Sequence, residues 1–241
     1  MTLEIELLPI LGDNYCFILR EPEAGVTAVV DPGADQPVAA RLDEIGHGLD
    51  WILITHHHAD HTGGNLALKE RFGCKIAGPA AEAARVPGID LELHHGDTFA
   101  LGAETATIID TPGHTRGHIS YHFPQSRALF CGDTLFVLGC GRLFEGDAKT
   151  MFASFQRLLA LDDATRVYCG HEYTASNAKF ALSVEGDNPA LQERAREIEA
   201  LRAKNEPTVP STIGQERATN PFARAASAEA FARLRTLKDR F

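Results

Sequence analysis

Four times along this chain a short apolar, strand-like run ends in a turn that delivers a histidine or an aspartate. Trp51-Ile-Leu-Ile-Thr55 leads into His56-His57-His58-Ala59-Asp60-His61, Ile108-Ile-Asp-Thr-Pro-Gly leads to His114, Leu129-Phe-Cys-Gly to Asp133, and Val167-Tyr-Cys-Gly to His171. Side chains presented at strand ends, on loops held by a rigid sheet, are what a preorganised metal site needs. A fold that satisfies all four blocks must therefore bring several strand ends together. If the chain stays extended past Thr55, His56 and His58 point to the same side and can share one ion, because side chains alternate along a strand. Asp60 and His61 come next, where the chain must curl toward the next helix, and can address a second ion. A competing local reading, a helix with His57 and His61 at i and i+4, fits poorly: no Glu follows His57, and the apolar run leads straight into the motif. The donors suffice for two ions, with His56, His58 and His114 on one, Asp60, His61 and His171 on the other, and Asp133 between them. A carboxylate has two oxygens and can bridge metals about 3.5–4 Å apart.

The remaining histidines of the 11 in the chain weigh less. His57 is expected to orient the loop, His118 and His122 to support the site or face solvent from a strand, and His47, His94 and His95 to sit in exposed turns. Asp31, in Val-Val-Asp31-Pro-Gly, caps a turn or hydrogen-bonds a ligand histidine. The formal charge is −10, and it is unevenly spread. Residues 1–173 hold 12 basic and 24 acidic groups, whereas 174–241 hold 11 and 9. An acidic body suits bound cations and excludes nonspecific nucleic-acid binding, which needs phosphate-neutralising charge. No apolar run approaches the roughly 20 residues that cross a bilayer, and Glu4 and Glu6 stand where a secretory signal wants positive charge. Five cysteines, without a CxxC pair, read as reduced thiols. We expect a cytoplasmic monomer with neither nucleic-acid nor membrane partners.

Strand-like segments are expected at Leu3–Ile10, Tyr15–Arg20, Val26–Asp31, Trp51–Thr55, Lys75–Ala77, Thr98–Leu101, Thr105–Asp110, Ile119–Phe123, Ala128–Cys131 and Arg166–Cys169. Helical spacing marks Ala34–Ile45, Asn65–Phe72 and Met151–Leu161, then Ala175–Val184, Pro189–Asn205 and Ser227–Lys238. The stretch from Pro207 to Phe222 reads as irregular. Many strands with few interleaved helices suggest two packed mixed sheets, followed by a helical tail.

His56-x-His58-x-Asp60-His61 with His114, Asp133 and His171 in this order resembles the metallo-β-lactamase superfamily. The resemblance implies its α/β fold, an αβ/βα sandwich of two mixed β-sheets flanked by helices, with a C-terminal helical domain. Gly132-Asp-Thr-Leu-Phe136, Gly139-Cys-Gly-Arg142-Leu-Phe-Glu-Gly146, Tyr168-Cys-Gly-His-Glu-Tyr173-Thr and Asn220-Pro-Phe222 are similar to glyoxalase II, the hydroxyacylglutathione hydrolase family, over nearly the full chain. Resemblance to that family implies a catalytic domain at 1–173, a substrate-binding tail at 174–241, and hydrolysis of S-D-lactoylglutathione to D-lactate and glutathione in methylglyoxal detoxification. It further implies two divalent ions, zinc foremost with iron or manganese as alternatives, that lower the pKa of a shared water toward about 7. The resulting hydroxide attacks the thioester carbonyl, with Asp133 bridging the ions and Asp60 helping to orient the nucleophile. Glutathione carries two carboxylates, which by resemblance meet Arg142, Tyr173, Arg235 and Lys238, the last pair one helical turn apart. Two positions depart from the family: Arg142 replaces a common Lys, keeping charge but changing geometry, and Phe144 replaces a usual Tyr, losing a hydroxyl. No catalytic cysteine is required, and Cys131, Cys140 and Cys169 are expected to pack as small apolar residues.

Rival readings are a glutathione persulfide dioxygenase with one iron, another binuclear hydrolase such as a lactonase or β-lactamase, and a metal-stabilised binding protein without catalysis. Asp60, His61 and His171 together argue for a second ion, which the dioxygenase does not need.

Overall fold

Short β-branched runs broken by glycine and proline turns make a strand-rich chain, and the order of helices among them decides which strands run parallel. The computed structural model describes residues 2–241, and the chain divides into two compact units: one up to Asp110 with Gly117–Gly132, the other Thr111–Arg116 with Asp133–Phe241. In the first unit, β1 (Glu4–Ile10) and β2 (Asn14–Glu21) form a hairpin that closes with Ile10 opposite Asn14. β3 (Val26–Val30) pairs antiparallel with β2. β4 (Trp51–Leu53), β5 (Lys75–Pro79) and β6 (Leu91–Leu93) then add in parallel.

Parallel addition requires crossovers. These are α1 (Asp35–Ile45), the one-turn α2 (Ala59–Thr62) followed by α3 (Asn65–Phe72), and a 3-10 turn at Ala80–Arg85. Gly46 and Gly73 end α1 and α3 in the left-handed conformation, with φ of 70° and 67°. Ile18, Val29, Ile52, Ile54 and Ile76 from the sheet meet Val38, Leu42 and Leu68 from the helices in one core. Ile52 and Leu53 are fully buried, as a run of continuous apolar residues demands. β7 (Thr98–Leu101), β8 (Glu104–Asp110), β9 (Ile119–Phe123) and β10 (Ala128–Gly132) form an antiparallel meander. Phe17 of β2 lies 5.5 Å from Phe130 of β10, and the buried Tyr121 hydroxyl donates to Ile54 O at 2.9 Å. This unit thus has its own core of sheet against sheet.

The second unit holds the hairpin β11 (Leu135–Phe136) and β12 (Gly139–Cys140), then α4 (Ala148–Leu159), β13 (Arg166–Cys169), α5 (Thr174–Glu185), α6 (Pro189–Ala203), β14 (Ser211–Thr212), α7 (Ile213–Thr219) and α8 (Ala228–Asp239). β13 pairs with β14, α4 packs on α8, and α5 packs on α6. Phe155, Phe222 and Phe231 form its aromatic core, with centroid separations of 5.1 and 5.3 Å at Phe231.

The fold class is the expected one, α/β with two sheets flanked by helices and a helical C-terminal region. Among the differences from the sequence reading, three concern where elements begin or appear. α4 starts at Ala148 rather than Met151, because the Asp147 side chain caps it by accepting from Thr150 N. β6 was not anticipated. The stretch from Pro207 to Phe222 is not irregular throughout: it contains β14 and α7, the latter started by a capping box between Thr212 and Gln215.

Candidate active site

In the first unit the candidate ligand segment follows β4. The strand ends at Leu53, earlier than the extended reading supposed, yet His56 Nε2 and His58 Nδ1 still come within 3.1 Å of each other. Asp60 and His61 sit on the single turn of α2, for which His58 is the N-cap. The helical alternative with His57 and His61 on one face is not the arrangement seen: His57 turns away, its backbone N and its Nδ1 lying 2.9 and 2.7 Å from Glu82 Oε2. It orients the loop, as expected. Glu82 also accepts from Gly117 N, so one buried carboxylate ties two loops.

Of its two expected roles, Asp31 takes the one that engages a histidine of the candidate site. It takes a left-handed φ of 51° just after β3, which carries its carboxylate beneath the histidines. Oδ1 accepts from Thr55 N at 2.8 Å, while Oδ2 accepts from Thr55 Oγ1 at 2.7 Å and lies 3.1 Å from His61 Nδ1. A proton on His61 Nδ1 directed at Asp31 leaves Nε2 with its lone pair for an ion. Asn14, which the sequence reading missed, donates to Asp60 Oδ2 at 3.0 Å and to Asp60 O at 3.2 Å; its only signal was its place in the Gly-Asp-Asn-Tyr turn. His118 is fully buried and stacks on His56 at 4.9 Å. His122 is half-buried, and burial pushes its pKa down. Exposed His94 and His95 lie in turns, and His47 lies 3.0 Å from Arg20 Nη1.

Gly132 shows how tightly this loop packs. Its φ is +45°, and a Cβ there would lie 2.3 Å from Thr55 Oγ1 and 2.7 Å from His118 Nε2.

In the second unit, His114 Nε2 and His171 Nε2 each lie 3.4 Å from the same oxygen, Oδ2 of Asp133. Donors about 2.0–2.2 Å from a tetrahedral ion stand roughly 3.3–3.5 Å apart, so histidine nitrogens and a carboxylate oxygen at this spacing fit divalent metal. His114 Nδ1 donates to Arg142 O at 2.8 Å, leaving its Nε2 for coordination. The His171 ring stacks on Tyr173 at 4.7 Å with 7° between planes. The exposed Phe144 ring meets the edge of His114 at 5.2 Å.

The residues expected to hold glutathione also belong to this unit. Arg142 and Tyr173 are exposed. Arg235 is buried, donates through Nη1 to Cys140 O at 2.6 Å and pairs with Asp239. Lys238 Nζ donates to Ser176 O and Oγ at 3.2 and 3.1 Å. Burial, then the charges of Arg235 and Arg142, push the Lys238 pKa down. The three cations are therefore close enough to feel one another, and an anion there relieves their repulsion. All five cysteines are free and buried. Burial pushes Cys140 and Cys169 up to about 12, so neither supplies a thiolate nucleophile.

Residues 10–171 match the model of the metallo-beta-lactamase superfamily, and 172–241 match that of the hydroxyacylglutathione hydrolase C-terminus. A hydroxyacylglutathione hydrolase from Methylococcus capsulatus is 52% identical over 96% of this chain and 91% of its own length. The chain belongs to the hydroxyacylglutathione hydrolase family. Among solved structures, ETHE1 from Myxococcus xanthus matches with a TM-score of 0.75 at 26% identity, over 98% of this chain and 90% of its own. TTHA1623 in a di-iron-bound form matches with a TM-score of 0.63 at 26% identity, over 89% and 98%. The hydroxyacylglutathione hydrolase C-terminal match covers α5 to α8 and so includes Arg235 and Lys238.

Proposed function

We propose that the chain hydrolyses S-D-lactoylglutathione and related S-2-hydroxyacylglutathiones to the 2-hydroxy acid and glutathione, a step of methylglyoxal detoxification. His56, His58 and His114 would hold one divalent ion, Asp60, His61 and His171 a second, with Asp133 shared. The observation that carries this reading is Asp133 Oδ2 at 3.4 Å from both His114 Nε2 and His171 Nε2, the arrangement a shared carboxylate needs. The relative's name and the C-terminal family match support the substrate. The di-iron-bound relative supports a binuclear site. We favour zinc, with iron or manganese suited to the same donors.

Ions bound there supply an acidified water near neutral pH and positive charge for the thioester oxyanion. The chain's own residues do the rest. Asp31 and the Arg142 carbonyl hold the Nδ1 protons of His61 and His114, fixing which nitrogen of each is a donor. Asn14 holds the Asp60 carboxylate where it can orient the attacking water. Arg142, Tyr173, Arg235 and Lys238 bind the glutathione carboxylates and set the thioester's register. The departing thiolate, from a thiol of pKa about 8.5, needs no strong general acid.

The catalytic body at 1–173 and substrate-binding tail at 174–241 are supported by family matches that meet at residues 171 and 172. No helix among the described residues is long and apolar enough to cross a membrane. Five free buried thiols support a cytoplasmic enzyme, and we take it to act as a monomer. The test monitors thioester absorbance with zinc-loaded protein and S-D-lactoylglutathione. Metal-dependent loss of absorbance is expected. Oxygen-dependent consumption of glutathione persulfide without thioester loss would replace the reading with the dioxygenase, and faster turnover of lactones or β-lactams would replace it with another hydrolase.

A further inference from the structure

The hairpin β11–β12 joins two residues with different jobs: Asp133 precedes it and Arg142 comes after it. It is too short to stand alone, with only Leu135 opposite Cys140 and Phe136 opposite Gly139 in register. Residues 131–141 are nevertheless all buried, so every backbone polar group there needs a partner.

Several of those partners are side chains on, or just past, three helices. Asn220, just past α7, places Nδ2 at 3.2 Å from Phe136 O, 3.0 Å from Gly139 O and 2.9 Å from Glu216 Oε2. Its Oδ1 accepts from Phe222 N at 3.0 Å, which fixes the amide's orientation. Glu216 Oε2 accepts from Leu138 N at 2.9 Å, at the hairpin tip where Leu138 is held in a left-handed φ of 56°. Glu216 Oε1 accepts from Ser211 Oγ. Asn177 of α5 donates to Val137 O at 3.1 Å, and Arg235 of α8 holds Cys140 O. Glu216 and Asn220 are both fully buried. Burial pushes the Glu216 carboxyl up, opposed by its donors Ser211, Asn220 and Leu138 N and by Arg194.

Both ends of the hairpin reach reacting groups. Gly141 N donates to Thr134 O at 3.2 Å, closing the base beside Asp133. One residue on, the Arg142 carbonyl takes the Nδ1 proton of His114 at 2.8 Å. A tilt of the hairpin would therefore move the Asp133 carboxylate, the His114 ring and the Arg142 side chain together.

We propose that Asn220 and Glu216 are positioning residues for the hydrolysis: they lock the 135–140 hairpin and so set the spacing between the shared carboxylate Asp133 and the glutathione contact Arg142. This rests on the reading of Asp133 and Arg142 given above. The Asn220-Pro-Phe222 run of the tail thereby acquires a job distinct from touching substrate.

The experiment compares Asn220→Ala, Asn220→Asp, Glu216→Ala and Glu216→Gln with wild type at a temperature well below each variant's melting point. It reads kcat and KM for S-D-lactoylglutathione, and zinc retention against a chromophoric chelator without substrate. Gln keeps an acceptor for Leu138 N and Asn220 and turns its amide to Ser211 Oγ, so Glu216→Gln should stay within about twofold of wild type. Asn220→Ala and Glu216→Ala should lose about tenfold to a hundredfold in kcat or zinc affinity, the range for residues that orient metal ligands, and should raise KM. Asn220→Asp should be worse than Ala, because its carboxylate would face two carbonyls and Glu216. Folded Asn220→Ala and Glu216→Ala proteins with wild-type kcat, KM and zinc retention would overturn the inference, as would equal losses in Glu216→Gln and Glu216→Ala. Should Asn220→Ala not fold, the Glu216 pair decides. If wild type does not hydrolyse the thioester, the functional reading fails by itself, and the zinc measurement still decides the positioning role.

Discussion

The two units assemble their candidate ligand groups in different ways. In the first unit His56, His58, Asp60 and His61 come from one stretch of six residues, and a few buried partners complete it: Asp31 beneath Thr55 and His61, Asn14 on Asp60, Glu82 on His57. In the second unit His114, Asp133 and His171 are far apart in the chain, and side chains of the tail grip the backbone of the hairpin that follows Asp133. A short contiguous segment therefore supplies the first group, braced by hydrogen bonds within its own unit, whereas the second gathers residues far apart in the chain beside a hairpin that the tail holds. The first should tolerate changes in the tail, and the second should not.

The largest expected effect falls on the second group. Asp133→Ala should lower kcat on the order of 10³-fold and reduce bound zinc from two ions to one; an enzyme that keeps two ions and its rate would remove Asp133 as the shared ligand. Asp31→Asn probes the first group. An amide opposite Thr55 Oγ1 and His61 Nδ1 replaces an acceptor with a donor, and zinc affinity by chelator competition should fall about 10- to 100-fold. Wild-type affinity would mean that α2 alone orients His61.

Gly132→Ala tests the packing of the first group by stability. A Cβ 2.3 Å from Thr55 Oγ1 at a φ of +45° should cost about 1–3 kcal/mol, read as the shift in a urea midpoint, and an unshifted midpoint would show that the loop gives way freely.

Lys238 offers a pH test of the second unit. Burial and two neighbouring cations push its pKa down, so in the free enzyme it loses its proton at lower pH than an ordinary lysine. A bound carboxylate favours the charged form, and binding is therefore full below that pKa and weakens as pH rises through it. KM should rise toward alkaline pH, with the rise starting below the ordinary lysine pKa of about 10.4, and Lys238→Met should abolish the rise. A pH-independent wild-type KM would take Lys238 out of the substrate site. The smallest effect belongs to Phe144→Tyr. Beside His114 and exposed, a restored hydroxyl should lower KM about two- to tenfold, the worth of one hydrogen bond, and no change would place the ring outside the glutathione path.

Legibility in the sequence divides along the same line. The longer strands, most helices and the run from His56 to His61 could be read directly, because alternation, helical spacing and ligand type are local properties. His114, Asp133 and His171 were legible only as repeats of the same strand-and-turn form. Asp31 stood between two readings until the Thr55 and His61 contacts decided it. His118 gave no hint that it is fully buried against His56. α7 was missed because seven residues carry too little periodicity, although the Thr212-x-x-Gln215 capping box was a usable signal. Glu216 looked like one more charge on a polar stretch; its burial beneath the hairpin cannot be deduced from its neighbours in sequence.

The amino-acid order by itself determined the fold class, the donor types and the family, since these depend on hydrophobic period, turn residues and motif spacing. Only the tertiary structure decided which carboxylates orient histidines, that Arg235 grips the Cys140 carbonyl, and that the tail holds the hairpin between Asp133 and Arg142. Those outcomes depend on contacts between residues tens of positions apart, where the need to satisfy buried polar groups, rather than any local preference, selects the partner.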